Sequence, residues 1–185
     1  RHTRYISVTG VQTCALPISI AALQSEYSLW SRNAERGTLA ACAELGIAYV
    51  AFSPVARAYL TGTLRDVGGF DAKDIRRAMP RFTPGNYANN LKLLDAYAAL
   101  ASEAGCTQAQ LAMAWLLHRA PNVLPIPGTT LVEHLNENLG AAHVALSADL
   151  IARLDALFTP QAIHGARYNA TNSAEVDTEE FAAGA

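Results

Sequence analysis

Residues 123–139, VLPIPGTTLVEHLNENL, read as strand, tight turn and helix. Val123, Leu124 and Ile126 form a short apolar run, Pro127 and Gly128 break it, and Thr129 and Thr130 stand where a helix needs a cap. Thr130 with Glu133 three residues on predicts a capping box. A helix N-terminus at the carboxyl end of a buried strand presents backbone N–H groups and the positive end of the dipole, which favour a phosphate or another anion. An ordinary βα loop with a good cap would read the same way, so the turn alone marks only a candidate.

The whole chain has 185 residues, 51% of them hydrophobic and 16% charged, which suits one domain with a core and excludes disordered and fibrous classes. A net charge of −2 supplies no basic field, so neither nucleic acid nor an anionic membrane surface is expected as a partner. Cys14, Cys42 and Cys106 are odd in number, widely spaced and without a CxxC, which implies neither a disulfide framework nor a zinc site. No metal ligand is assigned. No apolar run approaches the roughly 18 residues of a membrane span, and no secretory signal pattern opens the chain. A reducing cytoplasm is the expected location.

Residues 1–18 set up no pattern continuous with residues 19 onward and read as a non-native segment, similar to a translated sequencing adapter; a short native arm is the alternative. The apolar run 20–23 predicts a buried strand ending at Gln24, and Leu39 and Cys42 lie on one face of a helix running to Leu45 and stopped by Gly46. Residues 47–52 are the next strand. The loop beyond it carries Arg57, Gly62, Gly68 and Gly69 and is too long for a plain connector.

Helical spacing then places Leu91, Leu94, Tyr97 and Ala101 on one helix over 89–104, followed by a second that Thr107 and Gln110 box at its start. His118 lies in the last turn of that second helix, a capping rather than a catalytic position. Ser147 opens a closing helix with an apolar stripe of Leu150, Ile151, Leu154, Leu157 and Phe158. The tail from Gln161, with acidic residues over 177–180, reads as a loosely ordered covering arm.

Apolar strands alternating with helices predict an α/β fold with parallel strands, either an open doubly wound sheet or part of a (β/α)8 barrel. No GxGxxG marks a Rossmann sheet.

The run QSEYS at 24–28, FSP at 52–54 with LTG at 60–62, PRF at 80–82, PIPGT at 125–129, Glu137-Asn138 and GARY at 165–168 together strongly resemble the aldo-keto reductase superfamily. The resemblance spans about residues 20–168. It implies the C-terminal part of a TIM barrel, strands six to eight with their helices, over 19–168, with 169–185 as a flexible tail.

The family passes a hydride from a reduced nicotinamide to the carbonyl of an aldehyde or ketone while a tyrosine donates a proton. By this resemblance Gln24 would bond the carboxamide, Phe52 would stack on the nicotinamide, and Ser53, Pro54 and Val55, with Arg57 beside them, would line the pyrophosphate. Gly128, Thr129 and Thr130 match the turn at the adenosine phosphate, His134 occupies a position that is often basic, and Glu137 and Asn138 match the pair that reads adenine.

Several positions depart from the family pattern. Thr130, His134 and Thr63 stand where Lys or Arg is frequent, so the implied cofactor is NADP(H) with NAD(H) left open. Val55, Ala56 and Ala58 replace the usual Leu, Gly and Gly and stiffen that loop. No segment matches the strands that carry the family's catalytic Asp, Tyr, Lys and His, so no catalytic residue is assigned.

The expected function is therefore the dinucleotide-binding part of a carbonyl reductase, inactive as this fragment. Its parent acts on a small-molecule carbonyl substrate, and open barrel edges promote self-association. A non-catalytic dinucleotide-sensing subunit of the same family, or a barrel binding a sugar phosphate, are the alternatives.

Overall fold

The computed structural model describes residues 19–174 and 176. The readings of residues 1–18 and of the acidic run at 177–180 lie outside them. Three strands, β1 (Ala22–Glu26), β2 (Ala48–Phe52) and β3 (Val123–Ile126), form one parallel sheet in that order. The register aligns Leu23, Tyr49 and Val123 in one row and Glu26, Phe52 and Ile126 in another. Because side chains alternate along a strand, these rows fall on opposite faces. Tyr49, Ala51 and Val123 are buried, whereas Leu124 and Ile126 on the other face are 49% and 43% exposed.

Helices α1 (Thr38–Glu44), α2 (Pro84–Glu103), α3 (Gln108–Leu117), α4 (Val132–Gly140), α5 (Ala148–Leu157) and the short α6 (Ala170–Ser173) complete the architecture. Several follow local chemistry read from the sequence. Thr107 and Gln110 form the expected reciprocal capping box of α3, and the Ser147 hydroxyl accepts from the Leu150 N–H at the start of α5. Gly46 closes the α1 turn at φ +67°, a conformation that favours glycine. The α5 stripe buries Leu150, Leu154 and Phe158.

Other expectations are corrected. β1 starts at Ala22 and runs past Gln24 to Glu26, because its backbone pairs with β2 as far as Phe52, and the strand expected to be buried is exposed at Ala22 and Gln24. α2 begins at Pro84, with Thr83 ahead of it; proline suits the first helical turn, where its missing N–H costs nothing. The capping box of Thr130 and Glu133 does not form. α4 starts behind Leu131 without a side-chain cap, and Thr129 Oγ1 instead accepts from the Leu131 N–H at 3.1 Å, which places Thr130 outside the helix.

The tail is not loose over its first turns. The Asn90 side chain, fully buried, accepts from the His164 N–H at 2.8 Å and donates to the His164 carbonyl at 3.0 Å. This pair pins the tail to α2, and the Trp30 ring stacks on Tyr59 at 4.0 Å beneath the same region.

No helix among the described residues is long and apolar enough to cross a membrane.

Candidate functional site

The segments leaving β2 and β3 enclose a cleft of about 540 Å³. Its walls include Ser53, Pro54, Val55 and Arg57 from the first segment and Gly128, His134, Glu137 and Asn138 from the second. These come from stretches about seventy residues apart, brought together by the parallel pairing of β2 with β3. Eight of the twelve residues singled out in the sequence therefore share one site. His134, Glu137 and Asn138 reach it together because α4 repeats every 3.6 residues.

The remaining four lie outside the cleft wall. Thr129 and Thr130 are exposed in the turn before α4. Gln24 lies in β1 opposite Val50 and is exposed, and Phe52, opposite Ile126, ends β2 half-buried. By strand alternation Gln24 and Phe52 share the face of the sheet that helices leave uncovered.

The loop after β2 is wound against its preference. Ser53 has φ +53°, and Ala56, Arg57 and Ala58 follow at +51°, +54° and +76°. Left-handed backbone is costly for residues with a Cβ, and two of these are the alanines that stand at usual glycine positions. The turn is closed by hydrogen bonds from the Ala56 N–H to the Ser53 carbonyl at 2.9 Å and from the Leu60 N–H to the Val55 carbonyl at 3.1 Å.

A buried carboxylate explains how the turn is held. Glu26, 3% exposed, accepts from both terminal nitrogens of Arg57 at 2.9 and 3.0 Å, from Arg167 Nε at 2.9 Å and from the Ser31 hydroxyl at 3.0 Å. Burial pushes the Glu26 carboxyl upward, but the Arg57 hydrogen bond and the Arg167 charge outweigh it and hold the pKa below the usual glutamate value. Arg57 thus lines the cleft with its charge already shared with Glu26.

Arg76, which sequence reasoning missed, is the second arginine of the cleft. It donates to the Arg57 carbonyl at 3.2 Å and bonds Asp74 through Nη2 at 2.6 Å, holding that carboxyl below its ordinary range. Its guanidinium also lies 4.1 Å from the Phe70 ring centroid. Sequence offered only an arginine in a long loop; the fold makes it a wall.

Chemically, the cleft offers hydroxyls and guanidinium at one end and a carboxylate beside an amide at the other. The first set suits phosphate oxygens and the second an amine next to a ring nitrogen. Among the described residues no cluster of side chains could hold a metal ion.

The chain is similar to several solved structures. The chain is 28% identical to a thermostable aldo-keto reductase solved with the inhibitor epalrestat, over 82% of this chain and 44% of that one, with a TM-score of 0.56. It is 29% identical to an aldo/keto reductase from Klebsiella pneumoniae solved with NADP and acetate, over 80% and 43% of the two chains, with a TM-score of 0.54. The glycerol dehydrogenase of Gluconobacter oxydans shares the fold at a TM-score of 0.69 and 22% identity, over 74% and 42%. The chain spans less than half the length of each of these structures. The model of the aldo/keto reductase family matches residues 3–158, and the chain belongs to that family.

Proposed function

We propose that this chain is the dinucleotide-binding, C-terminal part of a barrel oxidoreductase that reduces aldehydes or ketones with NADP(H), NAD(H) being the alternative donor. The observation that carries this reading is the convergence of Ser53, Arg57, Glu137 and Asn138 on one cleft of a size that suits a cofactor, since such sites run from about 300 to 1,000 Å³.

A bound nicotinamide would supply the hydride. The chain's own residues hold the rest of the molecule. Ser53 and Arg76 face the pyrophosphate, with Arg57 beside them keeping the left-handed turn in shape. Glu137 accepts from the adenine amine while Asn138 donates to a ring nitrogen. Gln24 and Phe52, on the uncovered face of the sheet, receive the nicotinamide end. No residue of this chain is assigned the proton donation, so the fragment binds and does not turn over.

The test is titration with NADPH, read by quenching of the intrinsic tryptophan fluorescence and competed by adenosine 2′,5′-bisphosphate. Saturable, competable quenching that is weakened by Asn138→Ala is the expected result. Quenching without saturation, or indifference to the competitor, would overturn the assignment.

A further inference from the structure

Neither Glu26 nor Arg167 lines the cleft formed after β2 and β3. Glu26 is bonded to Arg57, which does line it, and Arg167 is bonded to Glu26. Arg57 is the middle one of three successive left-handed residues, Ala56, Arg57 and Ala58, each with a Cβ that this conformation disfavours. Such a stretch persists only where its surroundings hold it. If released, it would withdraw Ser53, Pro54 and Val55 from the cleft wall. The tie that runs from this turn to the sheet is the pair of bonds from the Arg57 guanidinium to Glu26. Glu26 stands in register with Phe52, the residue just before the turn, so a side chain of β1 fixes the far end of the turn relative to its start.

A two-pronged bond of this kind depends on the plane of the carboxylate. Glu26 Oε1 also accepts from the Ser31 hydroxyl at 3.0 Å, and Oε2 also accepts from Arg167 Nε at 2.9 Å and from the Tyr168 hydroxyl at 3.4 Å. Arg167 Nη2 in turn donates to the Tyr168 hydroxyl at 2.9 Å. The side chains of Arg167 and Glu26 are 5% and 2% exposed, and a hydrogen bond so far from bulk water is strong. The segment that carries Arg167 is anchored separately, by Asn90 at His164 and by Arg81 at the Gly165 carbonyl.

We infer that Arg167 is a positioning residue for dinucleotide binding: acting through Glu26 and Arg57, it keeps the left-handed turn in the shape that receives the pyrophosphate. The inference rests on the assignment of the cleft to a dinucleotide. Coupling of this kind is reciprocal, so a cofactor that prefers the held turn also tightens the docking of the C-terminal segment.

Calorimetric titration of the full chain with NADPH and with adenosine 2′-monophosphate tests the inference, because the monophosphate has the adenine and the 2′-phosphate but no pyrophosphate. Arg167→Met removes the bond and retains an apolar stem. It should weaken NADPH about tenfold and leave the monophosphate within about twofold. Arg167→Lys, which keeps a cationic donor, should recover most of that loss. In an Arg57→Met background Arg167→Met should cost no further affinity, since a residue that acts through another then has nothing to act on.

The wild-type chain supplies a second measurement. Saturating NADPH should slow amide exchange at His164 and Ser173, whose N–H groups are bonded on either side of Arg167, by at least about twofold, and the monophosphate should not. Equal weakening of both ligands, an additive loss in the Arg57→Met background, or exchange that NADPH does not move would overturn the inference. NADPH binding that Arg167→Met leaves unchanged would overturn it alone, whereas no saturable NADPH binding by the wild type would remove the cofactor assignment and the inference with it.

Discussion

Arg167 Nε lies 2.9 Å from Glu26 Oε2, a bond between residues 141 positions apart. The same carboxylate holds Arg57, so one side chain at the end of β1 ties the left-handed turn after β2 to the C-terminal segment. Removing its charge leaves two arginines facing a neutral amide in a buried place. Glu26→Gln should cost about 3–5 kcal/mol, read from the midpoint of urea unfolding. A loss under 1 kcal/mol would show that the cluster is solvated and the tail independent.

The same cluster sets a pH dependence. The Glu26 pKa is lowered in the folded state, so its contribution is complete above the ordinary glutamate pKa, about 4.3, and is lost as pH falls through the folded value. Urea midpoints from pH 7 down to pH 3 should therefore fall in the acid range. The fall should be shallower in Glu26→Gln, and parallel profiles would rule out Glu26 as the source.

Ala58 at φ +76° stands where glycine has no penalty. Ala58→Gly should stabilise the chain by about 0.5–1 kcal/mol, the left-handed cost exceeding the chain entropy that glycine adds. A raised melting temperature checks this; a lowered one would mean that packing of the Ala58 methyl matters more than its backbone.

Gly165 makes the opposite case. At φ +90° a Cβ would stand 2.9 Å from the Pro80 carbonyl oxygen and 2.7 Å from Asn86 Nδ2. Gly165→Ala should destabilise by about 1–3 kcal/mol and raise amide exchange at His164, whose N–H the Asn90 side chain holds. Unchanged exchange there would show that the tail docks without this close approach.

His134 lines the cleft on the face of α4 that carries Glu137 and Asn138. A fixed cation there should favour the 2′-phosphate, so His134→Arg should tighten NADPH roughly tenfold and leave NADH unchanged. Equal gains for both cofactors would place residue 134 away from the 2′-phosphate.

A flank of α4 is apolar and open, with Leu135 and Leu139 at 48% and 63% exposure and Leu131, just ahead of the helix, at 52%, and Leu124 and Ile126 of β3 are exposed as well. Exposed apolar surface of this kind promotes association. Sedimentation should show concentration-dependent oligomers that Leu135→Lys with Leu139→Lys disperses. A monomer at all concentrations would show that this face is tolerated in water.

What was legible in the sequence was local. Strand runs, the Thr107 and Gln110 box and the α5 stripe depend on neighbours within a few residues, and each formed. The motif after β2 and the motif after β3 identified the family, and eight residues named from them line one cleft. The cap of α4 failed because a threonine one position earlier closed its own turn on Leu131, a choice between two equally short-range bonds.

The sequence by itself therefore determined the βα order, the family and the two segments that make the cleft, because periodicity, capping and motif spacing are properties of contiguous residues. Tertiary structure alone decided the rest. It made Glu26 the partner of Arg57 and Arg167, turned Arg76 into a wall, and left Gln24 and Phe52 on the uncovered face. Those outcomes depend on strand register and on where a distant segment docks, and no local pattern encodes which buried charge a residue 141 positions away will meet.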